Sequence, residues 1–174
     1  MRKCPPLDSG NVSDKRLVSW LTKPRSKPLN LPRVLLADDS SDVLEAVSRI
    51  LTPEFEIVGR VSDGLSLISE ARRLSPDVMV VDLFMPGLSG IEVARELKKR
   101  HNPGSIIFLS VYDDASFVEA AQAIGAKGYV LTSSADRDLV PAIREALQGR
   151  FYHSPSLKCQ EQQEEEQPRR TIPK

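Results

Sequence analysis

Three aspartates and two hydroxyls stand directly behind short apolar runs. Asp38 and Asp39 follow RVLLA, Asp82 follows VMVV, Ser110 closes SIIFLS and Thr132 follows GYVL. Carboxylates crowded at one place repel one another, and a cation relieves that repulsion. An all-oxygen set that leaves positions for water suits Mg2+. A divalent ion, a hydroxyl and the start of a helix together can hold a phosphoryl group. Each piece alone has a plainer reading. Asp-Asp ahead of a helix is an ordinary N-cap, and an Asp after a strand is an ordinary turn residue. It is their joint occurrence behind three separate runs (the first, third and fourth) that favours chemistry. The condition is that the runs be strands of one sheet whose carboxyl ends meet.

The intervening pattern meets that condition. Strands are predicted at 33–37, 55–61, 78–81, 105–110 and 128–131. Helices are predicted at 42–51, 65–74, 89–100, 115–124 and 136–148, from apolar residues recurring at three and four. Asp63 is the expected cap of the second helix, and Ser89 with Glu92 forms a capping box opening the third. Pro141 is expected near the start of the fifth helix, where a lost amide costs least. Short continuous apolar strands alternating with helices predict a doubly wound α/β fold of three layers (α/β/α). Its five-stranded parallel sheet should have the flavodoxin-like order 2-1-3-4-5.

Composition narrows the classes. Hydrophobic residues make up 40% and charged residues 28% of 174, ordinary for a soluble globular domain. There is no apolar run of the ~18 residues a membrane span requires and no secretory h-region. Cys4 and Cys159 offer neither a disulfide framework nor zinc spacing, so a reducing cytoplasm is the expected compartment. The net charge of zero hides an asymmetry. Residues 1–33 hold eight basic and two acidic residues, and 158–174 hold four of each. The remaining 12 basic and 18 acidic residues fall in 34–157, which argues against direct DNA binding by the core. The expected organisation is a disordered basic arm over 1–31, one domain over 32–150 and a disordered polar tail over 151–174. His101 and His153 read as solvent or packing residues. Neither a G-x-G-x-x-G nor a Walker A motif is present.

The runs LLADDS ending at Ser40, VVDLFMPGLSGIEVARELK (80–98), IIFLS (106–110) and GAKGYVLTSSA (125–135) resemble the response-regulator receiver domain, the CheY-like family. MPGLSG and the stretch through SSADRDLVPAIREAL look most like its NarL-type branch. The resemblance implies that Asp82 accepts a phosphoryl group from a sensor histidine kinase or a phosphotransfer protein. It implies a Mg2+ ion held by Asp39 and Asp82, with Asp38 in support and the backbone carbonyl of Phe84 as a further ligand. Ser110 would contact the phosphoryl group, and Tyr129 would be the switch aromatic, its plainer reading being a half-buried tyrosine at the sheet edge. The resemblance makes the chain a regulatory acceptor rather than an enzyme, with output through protein contacts on the face of the fourth helix, fifth strand and fifth helix. Self-association into a homodimer is left open.

The sequence departs from the family at Thr132, where receivers carry a Lys. A neutral hydroxyl replaces a charge-assisted contact with one roughly half as strong. Lys127 lies five residues earlier, about 16 Å away at ~3.3 Å per residue, and is not a substitute. Two readings follow: an acceptor with weakened switching, or a degenerate receiver that works as a phosphorylation-independent binding module. A phosphatase of the haloacid-dehalogenase kind needs a second acid two residues after the nucleophile, where Phe84 stands. Phe84, Tyr112 and Val111 are bulky for their positions and predict restricted water access. GRFYHSPSL (149–157) is similar to the stretch leading to an output domain in NarL-type proteins. Only 26 residues follow Gln148 here, so a receiver without a DNA-binding domain is the expectation.

Overall fold

The computed structural model describes residues 31–99 and 104–157. The expected strands form as β1 (Arg33–Ala37), β2 (Glu56–Val61), β3 (Val78–Asp82), β4 (Ser105–Ser110) and β5 (Gly128–Leu131). The helices are α1 (Ser41–Leu51), α2 (Gly64–Leu74), α3 (Gly90–Lys98), α4 (Ala115–Ala123) and α5 (Ala135–Leu147). The sheet is parallel throughout, in the order β2-β1-β3-β4-β5-β6. The first five strands thus have the expected flavodoxin-like order.

The sixth strand, β6 (Tyr152–His153), corrects two expectations: a sheet of five strands and a disordered tail from residue 151. It pairs in parallel with Gly128 and Tyr129 of β5. The Tyr152 and Ser154 amides donate to the carbonyls of Lys127 and Tyr129 (both 3.1 Å), groups that an edge strand would leave to water. Ser154 and Leu157 are buried. The segment 151–157 therefore belongs to the fold, because it satisfies an open sheet edge and buries apolar surface. The basic arm through Asn30, the tail from Lys158, both cysteines and His101 lie outside the described residues.

Alternation along the strands decides which helix covers which face. Leu35, Ala37, Met79, Val81, Phe108 and Tyr129 face a core shared with Leu67, Val93, Leu97 and Ala121 of α2, α3 and α4. Val34, Leu36, Val78, Val80, Ile107 and Val130 face the opposite core, with Val47 and Leu51 of α1 and Leu139 and Ile143 of α5. Both sheet faces are dry, which is why the strands read as unbroken apolar runs.

Four helices start at the carboxyl ends of strands behind side-chain caps. Ser40 accepts from Val43 N, Asp63 from Ser66 N, Ser89 from Glu92 N in the expected capping box, and Asp114 from Ser116 N. Each such cap is worth about 1 kcal/mol. α5 differs. A 3-10 turn (Thr132–Ser134) leads into it, so the helix begins one residue earlier than expected and Pro141 lies in its interior. This corrects the placement of Pro141 near the helix start. The helix holds through a buried face of Leu139, Ala142, Ile143 and Ala146 despite the missing amide. Among the described residues no helix is long and apolar enough to cross a membrane.

Candidate functional site

The parallel order places the ends of β1, β3, β4 and β5 along one rim. Asp38 and Asp39 leave β1, Asp82 is the last residue of β3, and Ser110 is the last of β4. The register sets Asp82 against Leu109, so Ser110 lies one residue beyond it on the neighbouring strand. Gly90 holds α3 close behind this point. A Cβ there would stand 2.4 Å from the Asp82 carbonyl oxygen, and only glycine allows the approach.

The three carboxylates act on one another. Asp38 is 9% exposed. Burial pushes its carboxyl up to about 6; a hydrogen bond from the Ser40 amide opposes this, and the charges of Asp82 and Asp39 add to the rise. That amide donates to Asp38 Oδ1 at 2.9 Å. Asp82 is also raised, first by burial, with the Leu83 and Phe84 amides opposing and the Asp39 charge adding. Asp39 is exposed. The three are thus brought together, two of them costly to ionise.

Among the described residues no three His, Cys, Asp or Glu side chains form a ready metal-holding group. Mg2+ does not require one, since it keeps several waters and takes one or two carboxylates. Partly desolvated carboxylates of like charge fit such an ion, which would lower the cost of ionising both Asp38 and Asp82.

Ser110 is buried, and its Oγ accepts from Tyr112 N at 3.2 Å. Tyr129 is fully buried and donates from its hydroxyl to the Tyr112 carbonyl at 2.7 Å. Burial raises its phenol; the Ser110 hydroxyl opposes this, and the charges of Asp114, Asp113 and Asp82 add to it. Its plainer reading, a half-buried tyrosine at the sheet edge, is corrected: β6 makes β5 an interior strand. Tyr129 reaches the aspartate rim through the loop that begins at Ser110.

Thr132 opens the 3-10 turn directly after β5 and is half-buried. Among the described residues its hydroxyl makes no side-chain hydrogen bond. Lys127 lies at the far end of β5 and donates its ammonium to the Gly149 carbonyl at 3.0 Å, away from the rim. Phe84 and Tyr112, 50% and 49% exposed, meet Phe117 in an aromatic group with centroids 5.1–5.7 Å apart. This group flanks Asp82 on the α4 side.

One cluster escaped the sequence reading. Ser134 donates to Asp138 Oδ2 at 2.6 Å, and Tyr152 donates to Asp138 Oδ1 at 3.0 Å. The Leu131 amide donates to Ser154 Oγ at 3.0 Å. The signal available was the apolar spacing of Phe151, Tyr152 and Leu157 inside an otherwise polar stretch.

Residues 34–144 match the model of the response regulator receiver domain. The chain is 33% identical over 130 residues to the transcriptional regulatory protein DegU of Brevibacillus brevis, covering 74% of this chain and 55% of that protein. It is 32% identical over 127 residues to the response regulator GacA of Pseudomonas viridiflava, covering 72% and 59%. The chain thus spans less than two thirds of these relatives. Among solved structures, a LuxR-family two-component response regulator from Aurantimonas sp. SI85-9A1 superposes with a TM-score of 0.72 at 30% identity, covering 79% of this chain and 99% of that one. The isolated REC domain of RcsB from Salmonella enterica serovar Typhimurium gives 0.69 at 27% identity, covering 75% and 98%. These relatives agree with the NarL-type resemblance. The chain belongs to the response regulator receiver domain family.

Proposed function

We propose that this receiver accepts a phosphoryl group on Asp82 in a Mg2+-dependent reaction and passes the change on through protein contacts. The observation that carries the reading is the aspartate rim: Asp82 at the end of β3, raised by burial and by Asp39, one strand away from the buried Ser110 hydroxyl. The RcsB relative was solved in the presence of the phosphomimetic BeF3-, which supports it.

A phosphohistidine on a sensor kinase or phosphotransfer protein is the donor. An Asp82 oxygen attacks phosphorus, the P–N bond breaks, and the electron pair returns to the imidazole nitrogen, which takes a proton. The product is an acyl phosphate. Asp39, Asp82 and the Phe84 carbonyl would hold Mg2+ with Asp38 in support, and the ion, when bound, would offset charge developing on the phosphoryl oxygens. Ser110 donates to a phosphoryl oxygen once its proton turns from Tyr129. Thr132 contributes one neutral hydrogen bond where the family has an ammonium. Phe84, Tyr112 and Phe117 restrict water on the α4 side, so the acyl phosphate persists for longer than seconds.

Incubation with acetyl phosphate and Mg2+ tests this by intact mass. One phosphoryl group is expected on the wild type and none on Asp82→Asn. A second reading, a phosphorylation-independent binding module, is favoured by Thr132 standing where the family has a Lys and by Lys127 donating to the Gly149 carbonyl instead. No mass addition at high donor concentration selects that reading. In either case the partner-facing side of α4 and α5 has β6, not β5, as its outer strand, and size-exclusion with and without donor reads any self-association.

A further inference from the structure

The receiver function leaves β6 and the buried polar cluster beneath it without a task. Ser154 has no solvent exposure. Its amide donates to the Tyr129 carbonyl at 3.1 Å, and its hydroxyl accepts from the Leu131 amide at 3.0 Å. Ser134 gives its proton to Asp138 at 2.6 Å, so in the 3.1 Å contact between the two serine hydroxyls Ser154 is the donor. Tyr152 closes the chain onto the other Asp138 oxygen at 3.0 Å. Each group has a partner, and the network brackets Thr132 between Leu131 and Ser134.

We propose that Phe151–Leu157 is a coupling strap, whose docking on β5 fixes the backbone carrying Thr132 and Tyr129 and so links the aspartate rim to the C-terminal segment. One residue, Ser154, touches the backbone of Tyr129 and the backbone entering Thr132. The other end of Tyr129 holds the Tyr112 carbonyl in the loop after Ser110. A rearrangement of that loop is transmitted to a strand whose outer neighbour is the strap. By linkage, the coupling free energy by which the rim shifts strap docking equals that by which strap docking shifts the rim. The phosphoryl side of this linkage rests on the function proposed above; the side from strap to turn does not.

Hydrogen exchange of the full chain, read by mass spectrometry, tests both sides. Ser154→Ala leaves the Leu131 amide buried without its acceptor. Exchange over Leu131–Ser134 should rise about tenfold while β2 is unchanged. Tyr152→Phe removes only the distal contact and should give a smaller rise in the same peptide, which keeps the test valid if Ser154→Ala misfolds. A change confined to 151–157 in both variants overturns the strap. In the second arm, acetyl phosphate and Mg2+ are added to the wild type, with intact mass read in parallel. A phosphorylated chain should show a several-fold change over 151–157, and a phosphorylated chain with none refutes the linkage. An unmodified chain removes the acceptor reading alone, and the strap is then decided by the two variants.

Discussion

Asp38 and Asp138 are the same residue type at nearly the same depth, 9% and 7% exposed, yet their surroundings push them in opposite directions. Burial and the neighbouring charges of Asp82 and Asp39 push Asp38 up to about 6, against one backbone hydrogen bond. Burial would raise Asp138 too, but hydrogen bonds from Ser134 and Tyr152 and the charge of Arg137 hold it below the ordinary carboxylate range. A buried acid with its donors supplied is structure. A buried acid facing two further acids is a demand for a cation, and such unmet demands collect at functional sites. The aspartate rim is unsettled in the isolated chain, and the β5–α5–β6 corner is not.

The largest effect expected from this contrast is on stability without divalent metal. Asp138→Ala should cost about 2–3 kcal/mol, because it strands two hydroxyl donors. Asp38→Asn should be neutral or stabilising, since it removes an unfavourable charge. Urea unfolding in EDTA compares them, and an equal loss in both variants would erase the distinction.

The second effect is the response to metal. Mg2+ at ten times its dissociation constant should stabilise the wild type by about 1.4 kcal/mol and leave Asp82→Asn nearly unmoved. Thermal unfolding with and without Mg2+ reads this. Tyr152→Phe comes next, at about 1 kcal/mol, the share of one hydrogen bond in the cluster.

The pH profiles should differ in sign. Asp38 binds its proton more tightly folded than unfolded, so its contribution is best at low pH and is lost as pH rises from about 4 to 6. Asp138 binds its proton less tightly folded, so its contribution is full above about 4 and is lost as pH falls below that. Subtracting the Asp38→Asn and Asp138→Asn profiles from wild type, in EDTA, isolates each. Slopes of one sign in both differences would contradict the contrast.

Much of the fold was legible in the chain. The runs RVLLA, SIIFLS and GYVL reappear as β1, β4 and β5 with the expected limits. The Ser89–Glu92 capping box and the Asp63 cap were equally plain. These are local codes: apolar spacing, and a polar side chain within three residues of a free amide. β6 was missed because its identity lies in the β5 edge it completes, which a window over 149–157 does not contain. Pro141 was misplaced because the buried face of α5 outweighs one absent hydrogen bond, and that face exists only against the sheet.

The residue types at strand ends, and hence the candidates Asp38, Asp39, Asp82 and Ser110, were set by sequence alone, since alternation and capping act over a few residues. Which carboxylate is strained and which is at rest was decided by tertiary structure. Asp138 is quiet because Ser154, from a segment that reads as a polar tail, folds back to complete its neighbours' hydrogen bonds. Desolvation and charge–charge repulsion depend on what lies within a few ångströms in space, and chain order carries that information only after the sheet has closed.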